Sequence, residues 1–127
     1  MAASPLIAIV DDDESIRDAL NSLLRSVGWR AEGFASAEAF LQSGQVHTTA
    51  CLLLDVRLPG VSGLELQRQV SSSHTHLPII FMTAHGNEAM RAQALQAGAV
   101  AFFDKPFNDT ALLEAIRTAL APDSGGT

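Results

Sequence analysis

The 127-residue sequence has few of the residues on which several classes of protein depend. It contains one cysteine, Cys51, which excludes an internal disulfide and a cysteine-based zinc cluster. Its hydrophobic runs are far shorter than the roughly 20 residues that cross a bilayer. The N-terminus has no basic segment ahead of a hydrophobic one, so it does not resemble a signal peptide. We therefore expect a cytoplasmic protein that does not enter a membrane.

Positive charge is also scarce. Eight Lys and Arg residues stand against 14 Asp and Glu residues, which gives a net charge of −6. Direct binding to nucleic acid is disfavoured, because non-specific binding needs a basic surface. The length and the 47% content of apolar residues predict one compact domain. We place this domain at residues 1–120 and treat 121–127 as a tail or the start of an interdomain linker.

Short apolar runs alternate with helical patterns along the chain. The predicted strands are residues 6–10, 29–34, 51–55, 78–83 and 100–103, and a predicted helix follows each of them. This alternation, with strands that are apolar throughout, indicates a doubly wound α/β fold with a five-stranded parallel sheet. The fourth helix, within residues 87–98, is rich in alanine, so we expect it to pack more weakly than the first.

Polar side chains stand where four of the predicted strands end. Strand one runs into the aspartates 11–13, strand three ends in Asp55, strand four in Thr83 and strand five in Lys105. Ligands of doubly wound folds bind outside the carboxyl ends of the strands. Crowded carboxylates repel each other unless their pKa values rise or a cation binds between them, and Mg²⁺ prefers such oxygen ligands. One aspartate at such a site can attack phosphorus and form an acyl phosphate.

Lys105 is the only lysine of the chain and stands directly before Pro106. An ammonium at the end of a buried strand can neutralise a phosphoryl oxygen. The peptide bond before Pro106 can adopt the cis form and turn the chain sharply into the last helix. Lys105 can alternatively form a salt bridge with Asp104 or with the acidic cluster, which is compatible with the first role.

Four segments together resemble the receiver domain of bacterial two-component response regulators: IVDDDE, LLLDVRLPGVSG, FMTAHG and AFFDKPF. The resemblance covers residues 6 to about 120. Within that family, DVRLPGVSGLEL and the pair MTAHG and KPF are similar to the FixJ-type group. The resemblance implies a CheY-like, flavodoxin-like fold with strand order 2-1-3-4-5 and five helices.

The resemblance also implies roles for the acidic residues. Asp55 matches the phospho-acceptor, Asp12 an acidic ligand of Mg²⁺, and Asp11 its partner, which often acts through water. Arg57, two residues after the acceptor, would offer its backbone carbonyl to the metal.

Three further residues match the parts of the family that respond to phosphorylation. Lys105 matches the phosphate-binding lysine, Thr83 the switch hydroxyl and Phe102 the switch aromatic. Because residue 102 is Phe and not Tyr, any hydrogen bond from a phenol is absent.

The function that the resemblance implies is a signalling switch. A sensor histidine kinase would transfer its phosphoryl group to Asp55, and the face made by helix four and strand five would change and control dimerisation. The chemistry would be limited to phosphorylation and autodephosphorylation of the domain itself. No DNA-binding segment follows in the sequence, so we expect a missing or separate output domain that regulates transcription.

Two other functions share parts of this pattern. A haloacid-dehalogenase-like phosphatase also uses an aspartate nucleophile and Mg²⁺, but it needs a second acid two residues later, where this chain has Arg57. A phosphate-independent interaction module of the same fold would be favoured by loss of Asp11, Asp12 or Lys105, and none is lost.

Several residues also have a purely structural explanation. Acids favour the first turn of a helix, and we prefer this explanation for Asp13 and Glu14. Asp55 could form an Asx turn, but its position after three leucines and facing the other acids favours the site. A residue such as Phe102 is more often part of the core than a switch, and its switch role comes from the resemblance.

Other polar residues are expected to be exposed in loops. Arg57 and His85 would lie near the phosphoryl group and could tune its lifetime. For His47, His74 and His76 the sequence pattern indicates no particular role. The last two could chelate a metal, but a solvated loop is the preferred interpretation.

Overall fold

Strands and helices alternate along the whole computed structural model, which describes residues 5–73, 77–84 and 86–121. The strands are β1 (Leu6–Val10), β2 (Arg30–Phe34), β3 (Thr49–Asp55), β4 (Ile79–Thr83) and β5 (Ala101–Asp104). The helices are α1 (Glu14–Ser26), α2 (Ala37–Gln42), α3 (Gly63–Ser73), α4 (Glu88–Gln96) and α5 (Asp109–Leu120). None of these helices is long and apolar enough to span a bilayer.

The strands form one parallel sheet in the order β2-β1-β3-β4-β5. This confirms the predicted fold class and strand order. Several strand limits differ from the prediction. β2 and β4 each begin one residue later than predicted, at Arg30 and Ile79. β3 begins at Thr49, because Thr49 pairs with Leu6 across an irregularity in the ladder. β5 lies one residue later than predicted, because its last residue, Asp104, pairs with Thr83.

Side-chain caps define where the helices begin. Oδ1 of Asp13 accepts a hydrogen bond from the backbone N–H of Ser15 at 2.9 Å, and Ser36 caps α2 in the same way. Glu14 lies in the first turn of α1. The structural explanation for Asp13 and Glu14 is therefore confirmed, since both stabilise the start of α1.

The two faces of the sheet carry separate hydrophobic cores, because successive side chains of a strand point to opposite sides. We call the side covered by α1 and α5 the α1/α5 face, and the other side the α2/α3/α4 face. The helical residues buried on the α1/α5 face are Leu20, Leu24, Leu112 and Ile116. Those on the α2/α3/α4 face are Ala37, Phe40, Leu66, Val70 and Ala94.

The contribution of α4 is the smallest of these. Ala94 is its only buried residue among those described, and Leu95 is 39% exposed. α1, in contrast, buries Leu20 and Leu24 completely or nearly so. The expectation that the fourth helix packs more weakly than the first is confirmed.

Candidate functional site

The carboxyl edge of the sheet brings two buried aspartates side by side. Val10 of β1 pairs with Leu54 of β3, and Asp11 and Asp55 are the residues that directly follow this pair along the two strands. Asp11 is fully buried and Asp55 is 6% exposed. Burial of two carboxylates next to each other is unfavourable unless hydrogen bonds and opposite charge compensate them.

Lys105 supplies that opposite charge. It follows β5, which is separated from β3 by β4, so only a long side chain can reach the aspartates. Its Nζ donates to Oδ2 of Asp11 at 2.7 Å and to Oδ2 of Asp55 at 3.2 Å. The salt bridge expected with the acidic cluster is therefore present, and the Lys105–Pro106 peptide bond is cis.

The other oxygen of each buried aspartate accepts a local backbone hydrogen bond. Oδ1 of Asp11 accepts from the N–H of Asp13 at 2.9 Å. Oδ1 of Asp55 accepts from the N–H of Arg57 at 3.0 Å. The turn proposed for Asp55 as a structural role is thus formed, and it coexists with the contact to Lys105. Together these bonds fix both carboxylates and leave little rotational freedom.

The protonation equilibria of the site reflect burial and charge. Burial raises the pKa of Asp55 and the charge of Asp11 adds to this, while the Arg57 N–H and Lys105 oppose it without cancelling it. For Lys105, burial alone would lower the pKa. Its hydrogen bond to Asp11 and the charges of Asp11 and Asp55 outweigh burial, so its pKa is raised and it stays charged.

The cluster fits a divalent cation. Asp11, Asp12 and Asp55 each offer a carboxylate oxygen, and these oxygens lie within 4.8 Å of one another. When all three are ionised, one ammonium leaves two negative charges unbalanced. The donors are hard oxygens, and Asp12 is exposed and provides access from solvent.

A surface groove of ≈ 470 Å³ opens beside the carboxylates. Asp12 and Arg57 line it together with apolar residues such as Leu64 and Met90. Arg57 is exposed, as expected for a loop residue, and its N–H is bound to Asp55. The role expected for its carbonyl stays a prediction.

Thr83 and Phe102, the two expected switch residues, lie near the same loop. Thr83 is fully buried at the end of β4, and Phe102 is 6% exposed and packs on Phe81 with ring centroids 6.1 Å apart. A Cβ atom on Gly86 would lie 2.6 Å from Cγ2 of Thr83 and 3.1 Å from Cε1 of Phe102. A glycine is therefore needed for the β4–α4 loop to lie against both side chains.

The sequence did not single out three residues that position the acid site. A Cβ on Gly63 would collide with the backbone carbonyl of Asp55, so α3 can start this close to β3 only with glycine. Arg17 donates to the backbone carbonyl of Asp11 at 2.7 Å, and Glu38 accepts from the N–H of Val61 at 3.1 Å. The sequence pattern indicates only that Gly63 is one of the residues typical of a loop. Nothing local links Glu38 to a residue 23 positions away.

The remaining polar residues lie apart from the site or outside the described residues. Cys51 is buried in β3, as expected, and burial raises the pKa of its thiol to about 12, so it is unreactive. His47 is exposed. The expectations for His74, His76, His85 and the tail after residue 121 concern residues outside the described ranges.

The sequence matches the family described as "Response regulator receiver domain" over residues 7–117. The response regulator protein TmoT of Ectopseudomonas mendocina is 49% identical over 115 residues, which are 91% of this chain and 52% of TmoT. The transcriptional regulatory protein FixJ of Azorhizobium caulinodans is 38% identical, with 94% of this chain and 57% of FixJ covered.

The solved structure described as "FixJ-N" superposes with a TM-score of 0.82 and 37% sequence identity. The comparison covers 94% of this chain and 95% of FixJ-N. The expected similarity to the FixJ-type group is confirmed. The chain spans about half the length of the curated relatives it matches.

Proposed function

The chain belongs to the response regulator receiver domain family, and from this membership we propose that it is a switch phosphorylated on Asp55. The observation that carries the proposal is the bridge from Lys105 to two buried aspartates beside an exposed third one. This arrangement combines a nucleophilic oxygen, a cation site and a fixed positive charge at one edge of the sheet.

We assign Mg²⁺ to Asp11, Asp12 and Asp55, and we assign the backbone carbonyl of Arg57 as a further ligand. When bound, Mg²⁺ would screen the charge of the carboxylates and neutralise one phosphoryl oxygen. The excess of two negative charges and the oxygen donors support this choice.

The phosphodonor is a phosphohistidine of a sensor kinase. A carboxylate oxygen of Asp55 attacks phosphorus, the phosphorus–nitrogen bond breaks, and the imidazole leaves and takes up a proton from solvent. Oδ1 of Asp55 is held by the N–H of Arg57, and Oδ2 contacts Lys105. Lys105 already lies beside the reacting carboxylate, so it can neutralise a second phosphoryl oxygen without a large movement.

The added group carries a charge of about −1.5 to −2 at neutral pH. We propose that the hydroxyl of Thr83 turns towards it and that Phe102 repacks in response. Gly86 supports this coupling, because the β4–α4 loop lies against both side chains. The face made by α4 and β5 then changes and controls self-association. Hydrolysis of the acyl phosphate by water reverses the switch.

We further propose that the domain controls transcription through an output domain. The support is the name of FixJ as a transcriptional regulatory protein, about half of whose length the chain covers. The net charge of −6 favours an output in which this domain does not itself contact DNA. The reaction would take place in the cytoplasm. The relatives of this chain are response regulators, which are signalling proteins and not enzymes that turn over external substrates.

The direct test is labelling with acetyl phosphate and Mg²⁺, followed by intact mass spectrometry. We expect one base-labile phosphoryl group on the wild-type protein and none on Asp55→Asn. Asp13→Asn is the matched control, because asparagine caps a helix as well as aspartate does and should leave labelling unchanged. Labelling of Asp55→Asn to the wild-type level, or release of many phosphate equivalents by the wild type without a retained phosphoryl group, would contradict the proposal.

A further inference from the structure

Very little apolar surface holds α4 in place. Ala94 is its one buried residue among those described, and Met90 is half-buried. A groove of ≈ 150 Å³ separates α4 from α3, and both polar and apolar side chains line it, among them Gln67, Gln93 and Leu64. The position of α4 must therefore depend on other interactions.

Two side-chain hydrogen bonds to backbone carbonyls fasten α4 to its neighbours. Nε2 of Gln67 on α3 donates to the carbonyl of Ala94 at 3.1 Å, near the C-terminal end of α4. Nη1 of Arg91, in the N-terminal half of α4, donates to the carbonyl of Phe102 in β5 at 3.1 Å. The two bonds lie about one turn apart, on either side of the middle of the helix, and hold its two halves to different partners.

The two bonds differ in what their loss would cost. Gln67 is 3% exposed, so breaking its bond would leave a buried amide without a partner, which carries the full desolvation penalty. The side chain of Arg91 is exposed, so water can replace its partner. The N-terminal end of α4 is therefore the end that separates more easily.

We propose that Gln67 is a positioning residue that makes Ala94 the fixed point of α4. The change of the α4/β5 face is then a swing of the N-terminal end of α4 about Ala94, with loss of the bond between Arg91 and Phe102. The C-terminal turn stays attached to α3. This inference rests on the proposed function only for the movement itself, whereas the attachment by Gln67 exists without phosphorylation.

Amide hydrogen exchange by NMR tests the swing in the wild-type protein. Beryllofluoride with Mg²⁺ serves as the phosphoryl mimic. The exchange of Met90 and Arg91 should accelerate roughly threefold or more. The amides of Ala97 to Ala99, which bond to carbonyls in the last turns of α4, should change less than twofold by the same argument. Equal acceleration at both ends would overturn the proposal.

Gln67→Met tests the attachment without any ligand, because methionine keeps the volume and removes the donor. The amides of Ala97 to Ala99 should exchange roughly 5- to 10-fold faster. The amides of β3 serve as the reference for global stability. Gln69→Met, at an exposed position of α3, is the matched control. Unchanged exchange of Ala97 to Ala99 in Gln67→Met would overturn the role of Gln67.

Arg91→Met provides the reciprocal test. It should accelerate exchange of the backbone amides at positions 90 and 91 only, in the absence of beryllofluoride. If the wild-type protein shows no response to beryllofluoride but Gln67→Met behaves as expected, the proposed switching function fails and the attachment stands. The two hypotheses are therefore separable.

Discussion

The helices on the two faces of the sheet are not all held by the same kind of interaction. On the α1/α5 face each helix buries two large aliphatic side chains. On the α2/α3/α4 face α2 and α3 also bury large side chains, such as Phe40 and Leu66. There α4 is the exception, because it buries a single alanine and is fastened by two side-chain hydrogen bonds. Apolar burial is hard to reverse, whereas exposed polar contacts exchange with water at little cost. The parts of the molecule that can respond to the acid site therefore lie on the α2/α3/α4 face.

The strongest test of this asymmetry compares two leucines on helices of opposite faces. Leu24→Ala should lower the free energy of unfolding by about 2–5 kcal/mol, because Leu24 is fully buried in the α1/α5 core. Leu95→Ala on α4 should change it by no more than about 0.5 kcal/mol, because exposed substitutions of this kind have small effects. Urea unfolding followed by circular dichroism measures both values. Similar losses for the two variants would remove the distinction between α4 and the helices of the α1/α5 face.

The binding of Mg²⁺ at the carboxyl edge of the sheet should not depend on how tightly the helices pack on either face. At 100 times its dissociation constant, Mg²⁺ should stabilise the wild-type protein by about 2.7 kcal/mol. Leu24→Ala should gain the same increment, because its site is remote from the carboxylates and distant effects add. Asp12→Asn should lose most of it, since one of three ligands is removed. An unaltered increment in Asp12→Asn would mean that the cation binds elsewhere.

The α/β alternation and the edge of the sheet could be predicted from the sequence because both depend on local patterns. Strands that are apolar throughout must be covered on both sides, and parallel strands bring their carboxyl ends together. Asp11, Asp55 and Lys105 could therefore be placed at one edge before their contacts were known. The start of α1 followed similarly from the preference of acids such as Asp13 and Glu14 for the first turn of a helix.

What the sequence could not provide are contacts between residues far apart in the chain that no pattern marks. The bond from Gln67 to Ala94 spans 27 positions and joins a polar residue to a backbone carbonyl. The approach of Gly63 to the carbonyl of Asp55 depends on the path of the loop between β3 and α3. The direction of the pKa shift of Asp55 could not be predicted from the sequence either, because it depends on which of several opposing contributions is larger.

Close backbone approach on the α2/α3/α4 face is tested by Gly63→Ala. The added methyl group would meet the carbonyl of Asp55 and force α3 away from β3. We expect a loss of about 1–3 kcal/mol, as for other overpacked sites, and slower labelling by acetyl phosphate. Ser62→Ala at the neighbouring loop position is the control. It should lower the free energy of unfolding by about 1 kcal/mol, because only the hydrogen bond from the Glu65 N–H to the Ser62 hydroxyl is lost. Normal labelling in Gly63→Ala would show that α3 does not position the acceptor.

The smallest change in the free energy of unfolding is expected for a substitution of Asp55 itself, and this change is a gain and not a loss. Because the pKa of Asp55 is raised in the folded protein, the folded state binds the proton more tightly than the unfolded chain does. Stability therefore falls as the pH rises from the ordinary aspartate pKa of about 3.9 towards the folded value, and it stays lower above that value. Asp55→Asn removes this penalty, so without Mg²⁺ the variant should be more stable than the wild type at neutral pH.

The gain of Asp55→Asn should disappear below the ordinary aspartate pKa, where the wild-type carboxyl is protonated in both states. Mg²⁺ should reverse the order at neutral pH, because only the wild type retains the full set of ligands. Asp13→Asn, at an exposed cap, should show neither effect. If Asp55→Asn is instead the less stable protein at neutral pH without Mg²⁺, the attraction to Lys105 outweighs burial and the acid site stabilises the fold.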